Sequence, residues 1–216
     1  VRVASEIATW MPGYKELSVG NHLFMTIQWM LSSFANEGKA FFIAIWTAGF
    51  LLLMKSKKAK VYQILAVVFS VVALLPYAGI SFFSEMGIGY IDIEQRLTEL
   101  PTWQTMNIQN RIAFFWWIAA VLFTMVLLWK VTGHSVFISM VFLGGIASEA
   151  VLHFSPTIYA SGARVYYLTD LMYLFIILWM VMHMDSEKKK NLFIAGVVVL
   201  GVANFLSQYS IMLLKL

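Results

Sequence analysis

Six long apolar runs, separated by short polar breaks, dominate the chain: Gly38 to Met54, Val61 to Phe83, Arg111 to Trp129, Val136 to Phe154, Val165 to His183 and Leu192 to Leu214. Each is apolar on all sides instead of alternating, so each predicts a helix and not a strand. At about 1.5 Å of rise per residue, such runs of roughly 17 to 23 residues match a hydrocarbon slab ~30 Å thick. The fold class expected is all-α: a polytopic transmembrane bundle of about six spanning helices plus interfacial helices, in a single membrane domain over residues 1–216.

The segments between the runs are less uniform. Leu17 to Phe34 mixes apolar residues with Asn21, His22, Gln28, Ser32 and Ser33. It reads as an interfacial helix, a re-entrant segment or the end of a further span. Trp10-Met11-Pro12-Gly13-Tyr14 predicts an interfacial turn with aromatic anchors, and residues 1–37 as a whole form an outer, interfacial segment. The long loop 84–110 contains Ile91 to Leu100, whose apolar spacing predicts a short amphipathic helix on the membrane surface. Pro76 predicts a kink in the second run. Gly144, Gly145 and Ala147 in the fourth run, and Gly196, Gly201 and Ala203 in the sixth, predict close helix packing.

Composition strengthens the membrane reading. Of 216 residues, 61% are hydrophobic and only 12% charged, and the mean hydropathy is +0.79. A soluble domain carries about 25% charged residues, so a soluble enzyme, a nucleic-acid binder and a disordered chain are excluded. There is no cysteine, which removes disulfides, thiolate catalysis and thiolate metal sites, and fits a bacterial envelope protein. The sequence opens Val1-Arg2-Val3 without an initiator Met, and is expected to be part of a longer polypeptide.

Charge then orients the bundle. Lys55, Lys57, Lys58 and Lys60 follow the first run, Lys130 and His134 the third, and Lys188, Lys189 and Lys190 the fifth. These three alternate connections hold eight of the fifteen Lys and Arg but only Asp185 and Glu187 of the eleven acids. They are expected to face the cytoplasm of a bacterial plasma membrane, with loop 84–110 and the turn 155–164 outside.

The remaining polar residues gather on the outer side. Glu149 and His153, four apart, share a helix face. Ser155, Thr157, Tyr159, Ser161 and Arg164 follow in one turn, and then come Tyr166, Tyr167 and Asp170. Ionisable groups in a membrane are costly and face a cavity or a partner. Arg164, with its planar fork, suits a phosphate or pyrophosphate. The three tyrosines suit headgroup depth, stacking on a sugar or donating hydrogen bonds. Glu149 or Asp170 can orient or deprotonate an acceptor hydroxyl, which makes them the candidate catalytic pair. Glu37, beside Lys39 at the entry to the first run, is a further binding candidate. A purely architectural alternative stands beside each: Arg164 paired with Asp170 or lipid headgroups, Glu149 and His153 bridging helices, Glu37 paired with Lys39. No phosphate-binding glycine loop, zinc signature or nucleophile elbow occurs, and the four histidines do not converge, so neither metal nor cofactor is expected.

The stretch His153 to Tyr167 (HFSPTIYASGARVYY) resembles a family. Together with Gly144 to Glu149 and the Asn36-Glu37-Gly38 entry, it is similar to the C-terminal half of bacterial polytopic, glycosyltransferase-like (GT-C-like) membrane proteins of polysaccharide and cell-wall loci. The likeness covers about the last 180 residues, and its motif is moderately specific. It implies an enzyme that takes a sugar from a polyprenyl-phosphate carrier at the outer face and passes it to an envelope glycan. The resemblance places that superfamily's catalytic acid in a first outer loop upstream of this chain. Only Ser155, Pro156, Thr157, Ser161, Gly162 and Arg164 carry over, as ligand-contacting candidates.

The expected function is thus a membrane glycosyltransferase or a piece of one. Its partners would be membrane lipids, a polyprenyl-phosphate sugar, and the rest of a longer chain or another membrane subunit. The alternatives are a non-catalytic subunit that binds or flips a lipid-linked sugar, and a proton-coupled transporter using Glu149, His153 and Asp170.

Overall fold

Helix α1 (Val19–Ser33) starts where the sequence supplies a cap: the Ser18 hydroxyl accepts the Asn21 backbone N–H at 3.2 Å. The computed structural model describes residues 17–78, 103, 108–153 and 166–213, and among these every regular element is helical. A π-helical stretch, Phe34–Gly38, joins α1 to α2 (Lys39–Leu53). Ser33, Phe34, Gly38 and Lys39 all keep right-handed helical backbone, so α1 and α2 form one continuous helical path. The wide turn shifts the facing of one helix relative to the other. Accordingly α1 packs on α5 and α4, whereas α2 packs on α3, α4, α6 and α7.

After a 3₁₀ turn (Lys57–Ala59) comes α3 (Lys60–Leu74), which gives way to a second 3₁₀ turn, Leu75–Ala78, around Pro76. Proline has no N–H to continue the ladder, and the run expected over 61–83 changes character there. Residues 79–83, loop residues 84–102 with the expected Ile91–Leu100 helix, and the turn 154–165 lie outside the described residues, as does the Trp10–Tyr14 turn. The chain resumes as α4 (Ile108–Val131), turns through Gly133 and His134 at φ 63° and 73°, and returns as α5 (Val136–His153). Helices α6 (Tyr167–Met182) and α7 (Glu187–Leu213) complete it. Five of the helices, α2 and α4 to α7, begin and end within a few residues of the expected apolar runs, with α4 and α7 extending beyond them into polar sequence, whereas α3 ends at Leu74, nine residues before the expected Phe83.

The core centres on α2. The buried Phe42 ring lies 5.2 to 6.3 Å from those of Phe34, Trp46, Trp117, Phe142 and Tyr173. One turn on, the Trp46 indole N–H donates to the Thr124 hydroxyl at 2.7 Å, and that hydroxyl donates to the Ala120 carbonyl. A further turn on, a Cβ at Gly49 would meet Leu127 Cδ2 at 2.7 Å, so α2 and α4 touch through a missing side chain. Phe42 to Trp117, Trp46 to Thr124 and Gly49 to Leu127 ascend together, so α2 and α4 run in the same direction. By contrast, among the described residues nothing lies within 4 Å of a Cβ built at Gly196 or Gly201 on α7, so the close packing expected of them is not seen there.

The shared direction puts the C-terminal ends of α2 and α4 at one end of the bundle. Asp185, between α6 and α7, joins them there: it pairs with Lys55 at 2.5 Å and Lys189 at 3.1 Å, and Lys189 also donates to the Leu51 carbonyl at 3.1 Å. The three lysine-bearing connections therefore sit together. Residues Arg111–Val131 of α4 and all of α5 are long and apolar enough to cross a membrane, and α2 and α6 are shorter apolar helices. Large apolar side chains are exposed on several helices, among them Val71, Phe115, Leu122, Leu171, Leu178 and Val199.

Candidate functional site

At the end away from the lysines, α5 presents Gly145, Glu149 and His153 at four-residue spacing, one above another on a single face, and all three are buried. Glu149 is 2% exposed and His153 4%. This face meets α6, where the Thr169 hydroxyl donates to the Gly145 carbonyl at 3.3 Å. One to two turns nearer the end, the Tyr166 hydroxyl and His153 Nε2 share a hydrogen bond of 3.4 Å, its direction set by the imidazole tautomer, with the rings 5.7 Å apart.

Tyr173 deepens this arrangement. Thr169 lies level with Gly145, and Tyr173 sits one turn further from the rim. Its ring nevertheless lies against Gly145, with Cε1 2.9 Å from where a Cβ would stand. The side chain therefore leans toward the start of α6, as helical side chains do. Tyr173 is 1% exposed, and among the described residues its hydroxyl has no hydrogen-bond partner. Rings of Phe34, Phe41, Phe42 and Phe142 surround the rest of it at 5.7 to 6.4 Å. An unpaired buried hydroxyl costs about 1–3 kcal/mol. On α1, Thr26 Oγ1 and Gln28 Oε1 are likewise buried without partners.

Of the residues singled out from sequence, Glu149, His153, Tyr166 and Asp170 come together at this end. Asp170 and Tyr166 are half-buried. Tyr167, next in the chain, is 70% exposed and turns outward from α6. Ser155, Pro156, Thr157, Tyr159, Ser161, Gly162 and Arg164 lie outside the described residues, as does the side chain of Glu37, whose backbone belongs to the π-helical stretch. Lys39, expected beside Glu37, holds its ammonium 4.4 Å above the Tyr77 ring. Thr169 and Tyr173 escaped the sequence reading. Their signal was the spacing Tyr166, Thr169, Asp170, Tyr173, a polar stripe at i, i+3, i+4 and i+7 within an apolar helix.

Among the described residues the set comprises two carboxyls, three hydroxyls and one imidazole. It can accept hydrogen bonds from a polyhydroxylated ligand and exchange protons through His153 and Tyr166. Among the described residues, no group of three or more His, Cys, Asp or Glu is placed to hold a metal ion. The chain matches no family model, no curated protein and no solved structure.

Proposed function

We propose that this chain is a six-span membrane protein whose outer-end chamber handles a sugar carried on a lipid phosphate, in the manner of a GT-C-like glycosyltransferase. The lysine-bearing end faces the cytoplasm, and the end holding Glu149 and His153 faces outward. Exposed apolar side chains on α3, α4, α6 and α7 support lipid contact, because a soluble surface rarely carries so many. The reading rests on one observation above all: a buried carboxyl, Glu149, stacked on one helix face with a His153 that hydrogen-bonds Tyr166. Intramembrane ionisable groups of this kind belong to functional sites by default.

In this reading Arg164 holds the donor phosphate by a bidentate contact. Glu149 or Asp170 takes the proton from an acceptor hydroxyl, whose oxygen then attacks the anomeric carbon. The glycosyl–phosphate bond breaks, and the polyprenyl phosphate leaves with its bonding electrons.

The experiment measures release of polyprenyl phosphate from a polyprenyl-phosphate-linked hexose by membranes carrying the chain. Glu149→Gln and Arg164→Ala should each lower release at least a hundredfold with the protein still inserted. Full activity of Arg164→Ala ends its phosphate role. Binding without release in the wild type favours a lipid-linked-sugar carrier subunit. Proton-driven solute uptake without either one favours a transporter.

A further inference from the structure

The connection between α2 and α3 is both basic and firmly held. Lys57, Lys58 and Lys60 are exposed, and among the described residues none of the three pairs with an acid, whereas Asp185 engages Lys55 and Lys189 and Glu187 engages Lys190. No Asp or Glu occurs between Glu37 and Glu85. The Gln63 side-chain amide donates to the carbonyls of Leu53 and Ser56, at 2.6 and 3.0 Å, and the Ala59 backbone N–H donates to the Ser56 carbonyl at 3.1 Å. Ala59, in the middle of the lysines, is fully buried and seats the turn on the bundle. Charge that only orients a helix in a membrane needs no such staple.

Just past Lys60 the surface turns apolar. Val61, Ile64, Val68 and Val71 lie on one face of α3, at spacings of three and four, and all are exposed. From first to last this stripe spans about 15 Å, half of a ~30 Å hydrocarbon slab and so the depth of one leaflet. We propose that Lys57, Lys58 and Lys60 hold the phosphate headgroup of an anionic phospholipid in the cytoplasmic leaflet, with an acyl chain of that lipid lying along the Val61–Val71 stripe. This rests on the membrane orientation above and not on the sugar chemistry. A soluble polyanion would meet the lysines and leave the stripe bare. A zwitterionic lipid fits the stripe but brings its own ammonium against three others, so the site selects headgroups of net negative charge.

The test titrates the full chain, in a nonionic detergent at low salt, with phosphatidylglycerol, with phosphatidylcholine of the same acyl chains, and with water-soluble glycerol 3-phosphate, and reads binding from the rise in melting temperature. Wild type should bind phosphatidylglycerol about tenfold more tightly than phosphatidylcholine, and added salt should shrink the gap. Lys58→Gln/Lys60→Gln should bring the two lipids within about threefold of each other. Lys130→Gln/Lys188→Gln removes the same charge from the same end and should keep the wild-type preference. Both double variants alter exposed side chains and should melt like wild type without lipid. Equal loss of preference in the two double variants assigns the attraction to the net charge of the whole end and overturns the site. Equal affinity of wild type for the two lipids overturns it as well, while leaving the membrane reading standing. Stabilisation by glycerol 3-phosphate as strong as by phosphatidylglycerol makes the occupant a soluble phosphate ester and overturns the lipid assignment. A chain that stays folded and dispersed without detergent removes the membrane reading and this inference with it.

Discussion

The Tyr173 ring rests against the backbone of Gly145, with Cε1 2.9 Å from the position a Cβ would occupy, and this contact sets how closely α5 and α6 approach. Gly144, its neighbour, would put a Cβ at an ordinary 3.5 Å from the Met172 thioether. The two glycines should therefore respond oppositely to alanine. Gly145→Ala forces a ring held by other rings to move, an overpacking cost of about 1–3 kcal/mol that exceeds the ~1 kcal/mol an alanine gains in a helix. Gly144→Ala should be neutral or stabilising by up to ~1 kcal/mol. Melting of both variants in one detergent checks this, and equal stability of the two would contradict the contact.

The Trp46 indole and the Thr124 hydroxyl join α2 to α4 inside the core. Thr124→Val keeps the shape but strands the indole N–H. A loss of about 1 kcal/mol is expected, within the range of hydrogen bonds between membrane helices and of unpaired buried groups. Trp46→Phe should cost less in the Thr124→Val background than in wild type, because the bond is already gone. A double-mutant cycle showing strict additivity would disprove the coupling.

At the lysine end, hydrogen bonds from Lys55 and Lys189 hold the Asp185 carboxyl down at about 2, below its ordinary 3.8. A folded-state value below the unfolded one favours the folded state above pH ~4, and that contribution is lost as pH falls through the folded value. Wild type should therefore lose melting temperature between pH 4 and pH 2 more steeply than Asp185→Asn, and the two curves should run parallel above pH 5. Because the pair is solvent-exposed, added salt should shrink the difference.

The absence of cysteine permits a direct test of orientation. A single cysteine replacing Lys58, at the lysine end, should resist a membrane-impermeant maleimide in intact cells and react after permeabilisation. One replacing Tyr167, exposed near the other end, should react in intact cells. The reverse pattern would invert the bundle and move the end that holds Glu149 and His153 to the cytoplasmic side.

The sequence made α4 and α5 legible because an unbroken apolar run has few ways to fold in lipid. The grouping of Lys55, Lys130 and Lys189 at one end followed from loop charge alone. Helix α1 was harder to read. Its Gln28 and Thr26 mark a surface in most proteins, yet both are buried here, because α4 and α5 cover the helix that carries them. The glycines of α7 show the converse: a small residue permits close approach but does not supply the neighbour, and among the described residues none stands against Gly196 or Gly201. Tyr173 was hidden among seventeen phenylalanines and eight tryptophans, where an aromatic in an apolar helix reads as packing until its phase relative to Asp170 is noticed. The stretch Phe34–Gly38 has no local signature that separates a π turn from an α turn.

That turn makes the azimuth of α1 depend on a residue count. An α-helix advances about 100° per residue, so deleting Ala35 to restore an ordinary turn would swing everything upstream by roughly a quarter rotation. Thr26, Gln28 and Trp29 would leave α4 and α5 for other surroundings, while the downstream hub around Phe42 kept its place. The bundle thus contains an indexing step, where adding or removing one residue re-aims an entire helix without altering its composition.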